Sequence, residues 1–70
     1  MTEGQKIRAE LHVGHAIENV ARALEILEGM KGGAEPMTPG RAFTVQSYVQ
    51  QAAKHGGCVE EITMSCEVPA

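Results

Sequence analysis

Three histidines and two cysteines hold most of the reactive side-chain chemistry in this chain. His12 and His15 form an H-x-x-H pair, and His55 and Cys58 form an H-x-x-C pair. Tetrahedral zinc accepts imidazole nitrogen and thiolate sulfur, so His12, His15, His55 and Cys58 are the candidate metal ligands. Gly14, Gly56 and Gly57 lie beside them and would let the backbone bend around an ion. The competing reading is three solvated histidines near helix ends, since the spacing of the two pairs matches no established zinc finger. The expectation is therefore no cofactor, with zinc as the alternative. Cys66 reads as a small buried hydrophobe rather than a ligand.

Other chemistries find less support. Cys58 stands three residues after His55 near a helix C-terminus, whose partial negative charge raises a thiol pKa and works against a nucleophile. Gly32-Gly33 follows a helix rather than a strand, and no Gly-Lys-Ser/Thr comes after it, so the mechanics of a phosphate loop are missing. A weaker anion site remains at Arg41, just inside a helix N-terminus. The carboxylate pairs Glu25/Glu28 and Glu60/Glu61 read as solvated faces, with no apolar pocket to tune them for acid–base work. No enzymatic activity is expected.

The elements that position these residues follow from hydrophobic spacing. Val13, Ile17, Val20, Leu24 and Leu27 recur at intervals of four and three, which predicts a helix over about 14–31. Gly32 or Gly33 supplies its left-handed terminus. Thr38 as N-cap and Pro39 at the first position predict a second helix over about 39–55, ending at Gly56, with residues 32–38 as the loop. Ala42, Val45, Val49 and Ala52 form its small-residue stripe. Ile62, Met64, Cys66 and Val68 alternate with polar residues, which predicts a strand over about 60–68. Ile7, Ala9, Leu11 and Val13 alternate in the same way, predicting a strand over about 6–13. The competing reading there is one long helix from about Thr2, since Thr2 and Gln5 suit a capping box.

The expected fold is thus α+β, a single small strand–helix–helix–strand domain around a central helical hairpin. The alternative is an all-α helical hairpin with a C-terminal extended tail. Either is incomplete alone: a 70-residue chain buries only about 60% of its unfolded surface, and a two-stranded sheet leaves both edges open. Dimerisation or higher self-association is expected to complete it.

Composition narrows the function classes. Net charge is −3 with scattered basic residues, which argues against nucleic-acid binding. No apolar run is long enough for a bilayer span, and the start MTEGQKIR lacks an apolar stretch after its charges. The reading is a cytoplasmic protein with reduced thiols. What fits best is a small non-enzymatic oligomer that binds another protein and modulates its activity. Met30, Met37, Phe43, Tyr48, Ile62 and Met64 are the candidate partner-binding residues, on adaptable methionines, two aromatics and a free strand edge. The alternative function is metal or small-ligand binding through the His/Cys cluster or Arg41.

Overall fold

Two helices and one short loop make up the described part of the protein. A computed structural model describes residues 1–66. Helix α1 runs Glu3–Gly32 and helix α2 runs Pro39–Cys66, folded back on each other as an antiparallel hairpin.

Local signals fix both ends of α1 and the start of α2. The Thr2 hydroxyl accepts from the Gln5 amide at 3.1 Å, and the Gln5 side chain accepts from the Thr2 amide at 2.9 Å. This reciprocal capping box satisfies two amides that an open helix end would leave unpaired. At the other end Gly33 adopts φ 82°, and its N–H donates to the Met30 carbonyl. Only glycine takes that left-handed turn without a Cβ penalty. Across the loop, Thr38 caps α2: its hydroxyl accepts from the Arg41 amide, and its carbonyl accepts from that of Ala42.

The structure overturns the α+β expectation. Among the described residues there is no strand. Residues 6–13 belong to α1, because the capping box starts the helix at Glu3 and its turns continue unbroken. Residues 60–66 of the second expected strand belong to α2, and 67–68 lie outside the described residues. Helix α2 passes through Gly56 and Gly57 instead of ending there. Isolated helical glycines cost about 1 kcal/mol each relative to alanine, which two further turns of inter-helix packing at Val59 and Ile62 can offset. The hydroxyls of Thr63 and Ser65 fold back onto carbonyls three or four residues earlier, so these polar residues are satisfied within the helix.

The helices meet along a seam with heptad spacing. On α1 the buried or half-buried positions Gln5, Ala9, His12, Ala16, Asn19, Ala23, Ile26 and Met30 recur at intervals of four and three, with half-buried Gly14, His15 and Gly29 beside them. On α2 the same spacing links Val45, Tyr48, Ala52, His55, Val59 and Ile62, with half-buried Thr44, Ser47 and Cys58 on the flank. Alternating steps of four and three are the pattern of a left-handed antiparallel coiled coil. Alanine recurs every seventh residue at 9, 16 and 23, and among the described residues the buried core is Ala9 and Ala23, 8% and 4% exposed. Small side chains let the backbones approach closely, but they remove little apolar surface from water.

A second stripe is left outside this seam. Val13, Ile17, Val20, Leu24 and Leu27 lie about a quarter-turn around α1 from the alanines and remain 42–63% exposed. They are the residues whose periodicity predicted the helix, yet they do not form the contact within the hairpin. The accessible surface is 5269 Å², against about 4,250 Å² for a compact monomer of this mass. The radius of gyration is 15.8 Å, against about 11 Å for a compact domain of this length.

Candidate functional site

The polar members of the seam gather near its middle. His12 on α1 faces His55 on α2 with the two Nδ1 atoms 2.9 Å apart. At that separation one ring donates its Nδ1–H and the other accepts through its lone pair, so at least one imidazole is neutral there. His15, one turn along α1, places its ring centroid 5.0 Å from that of His55, and the His12–His55 centroids are 5.1 Å apart. All three rings are half-buried. The next seam residue, Asn19, ties itself to the His15 carbonyl through its side-chain amide at 2.7 Å, which steadies that turn of α1.

Electrostatics at His55 favour its uncharged form. The His55 pKa is lowered from its ordinary value, first by partial removal from water, then by repulsion from His15, His12 and Lys54. Neutral imidazole is the form that accepts hydrogen bonds and ligates metals.

The sequence nominates His12, His15, His55 and Cys58 together, and the structure brings the three histidines into contact. That contact arises from the antiparallel register, because positions 12 and 55 both fall in the heptad seam. Cys58 stands one turn farther along α2, half-buried, with a free thiol. The imidazole contacts form without it. As the rings stand, no group of three or more His, Cys, Asp or Glu side chains among the described residues converges on a single ion position.

The remaining candidates are dispersed. Arg41 is paired with the chain's own Glu35, Nε to Oε2 at 3.1 Å, across the loop. The Glu35 amide donates to the Gly29 carbonyl, and a Cβ on Gly29 would run into the Glu35 side chain. Glycine at 29 thus makes room for the loop that carries Glu35. Of the six candidate partner-binding residues, Met30, Tyr48 and Ile62 are half-buried in the seam. Met37 and Phe43 are 78% and 74% exposed near the loop end, and Met64 is exposed at the opposite end of α2.

The sequence reading missed the separation of two apolar faces on each helix. The heptad recurrence of Ala9, Ala16 and Ala23 was the available signal. It is easily overlooked because alanine adds little to a hydrophobic stripe. On α2, the exposed Ala42, Val49, Ala53 and Gly56 likewise lie about a quarter-turn from the seam. With the helices antiparallel and right-handed, these residues and the Val13–Leu27 stripe turn to the same side of the hairpin. His15 and Cys58 occupy the opposite flank of the seam.

Among the described residues no helix is long and apolar enough to cross a membrane. Comparison of the chain with protein-family models, with curated proteins and with solved structures returned no match.

Proposed function

We propose that this is a non-enzymatic interaction protein whose working form is a pair of hairpins joined into a four-helix bundle. One observation carries the reading: each helix has two apolar faces a quarter-turn apart, and the hairpin uses only one of them. A helix in a four-helix bundle contacts two neighbours and therefore needs two such faces.

The unused face favours a second copy of the same chain. Its α1 half is large (Val13, Ile17, Val20, Leu24, Leu27) and its α2 half is small (Ala42, Val49, Ala53, Gly56). A two-fold axis lays the α1 of each copy on the α2 of the other, so large side chains meet small ones. Each side of a stable interface buries ~800 Å² of accessible surface. The surface in excess of a compact monomer is of the same order. Phe43 lies on the side of α2 away from α1, about a third of a turn from this face, so it stays available to a partner protein after pairing.

Sedimentation equilibrium tests the proposal. The expected species is a dimer of twice 7.5 kDa, converted to monomer by Leu24→Glu. A wild-type chain that is fully helical and monomeric at all concentrations overturns it, as does a stable complex only with a different protein.

A further inference from the structure

The imidazole cluster supports an inference about ligand chemistry that does not depend on the dimer, since all three rings come from one chain. We propose that His12, His55 and His15 form a binding site for a borderline divalent ion, zinc, that pins α1 to α2 at mid-hairpin.

The geometry is close to that of ligation. With Zn–N bonds of 2.0–2.1 Å, two nitrogens on one ion lie about 2.9 Å apart at a right angle and about 3.4 Å apart at the tetrahedral angle. The His12 and His55 Nδ1 atoms are 2.9 Å apart. Two imidazoles bound through Nδ1 to one tetrahedral ion have centroids about 5.2 Å apart on the same bond lengths. The observed separations are 5.1 Å for His12–His55 and 5.0 Å for His15–His55. For the His12–His55 pair, these separations call for ring rotation rather than backbone movement. The donor ring of the His12–His55 pair gives up its Nδ1 proton to water and takes one on Nε2, a tautomer shift that keeps both rings neutral; both Nδ1 lone pairs then turn toward one point beside their present line, and His15 swings its nitrogen to the same point. All three rings are half-buried, so each keeps an exposed edge and an ion can enter from the flank opposite the pairing face.

The donor set selects the ion. Neutral imidazoles suit zinc, copper and nickel, and leave magnesium and calcium, which prefer oxygen, unbound. A metal that binds the folded hairpin and not the open chain stabilises it by mass action. Zinc should therefore raise the melting temperature, and lose this effect as acid protonates the rings.

The test is calorimetric titration of the metal-stripped full chain with Zn²⁺ at pH 7.5 under a thiol reductant that does not bind metals. The expected result is one ion per chain, with affinity reduced at least about tenfold in His12→Ala and in His55→Ala, a smaller loss in His15→Ala, and no change in Cys58→Ser. Circular dichroism of the metal-free variants checks that helicity is retained. A second measurement needs no variant: Co²⁺ bound to the wild-type chain should show tetrahedral d–d bands without the intense thiolate charge-transfer band. No saturable Zn²⁺ binding overturns the proposal. So does binding that survives the double variant His12→Ala/His55→Ala, or a thiolate band with Co²⁺, which would assign the ion to cysteine. The oligomer is read separately by mass, so failure of either proposal leaves the other standing.

Discussion

At the residue scale, a cluster of three imidazoles in the middle of an inter-helix seam is a polar interruption where apolar side chains would pack more simply. It is tolerated because the rings satisfy one another: His12 and His55 share a hydrogen bond, and His15 lies against His55. That arrangement depends on His55 staying uncharged. Its pKa is lowered by partial desolvation and by His15, His12 and Lys54, so the folded chain binds a proton there less readily than the unfolded one. The contribution is fully present above the unfolded value near 6.5 and is lost as pH falls below it toward the lowered folded value. The expected outcome, with a chelator present, is a melting temperature that falls between pH 7.5 and pH 5. His55→Gln should flatten that slope over the same interval. An unchanged slope in the variant would place the titration elsewhere.

At the element scale, the alanine seam and the helical glycines give substitutions of opposite sign. Ala23 is buried where the helices approach closely, so Ala23→Leu should force them apart and destabilise by about 1–3 kcal/mol. Gly57 sits exposed inside α2 with open space where a Cβ would go, and Gly57→Ala should stabilise by about 0.5–1 kcal/mol. Gly33 has equal space but φ 82°, so Gly33→Ala should destabilise by about 1 kcal/mol. Urea denaturation of the three variants checks all three signs. The same local terms explain what the sequence made legible. Thr2, Gln5, Thr38, Pro39 and Gly33 act within one turn, and each does what its type and position suggest. The strand readings failed because period-two alternation at 6–13 rests on Ile7 and Leu11, which are exposed on a helix and do not report a buried sheet face. At 56–57 two glycines looked like a stop. Nothing local shows that Val59 and Ile62 continue the seam beyond them; that depends on the opposing helix. The histidine contact was likewise set by register, a property of two helices together, so residue types could nominate it but not place it.

At the scale of the whole molecule, the balance between the two faces decides what the chain is. A seam of alanines, imidazoles and amides, joined by Ile26, Met30, Val45, Tyr48, Val59 and Ile62, holds the hairpin in register, while Val13, Ile17, Val20, Leu24 and Leu27 point away from it. Full burial of leucine, isoleucine or valine contributes about 1.5–3 kcal/mol per side chain, and at 42–63% exposure the five residues of the Val13–Leu27 stripe leave about half of that to an external contact. On the proposed pairing, folding is therefore coupled to association. Three consequences distinguish this from a hairpin stable on its own. The melting temperature of the wild-type chain should rise with protein concentration over a hundredfold range. Leu24→Glu, which places a charge on the pairing face while leaving the seam untouched, should abolish that dependence and lower helicity at micromolar concentration. Phe43→Ala, on the side of α2 away from α1 and about a third of a turn from the pairing face, should leave both unchanged. A melting temperature independent of concentration in the wild-type chain would show that the alanine seam alone holds the fold, and the exposed stripe would then have to be explained without a second copy.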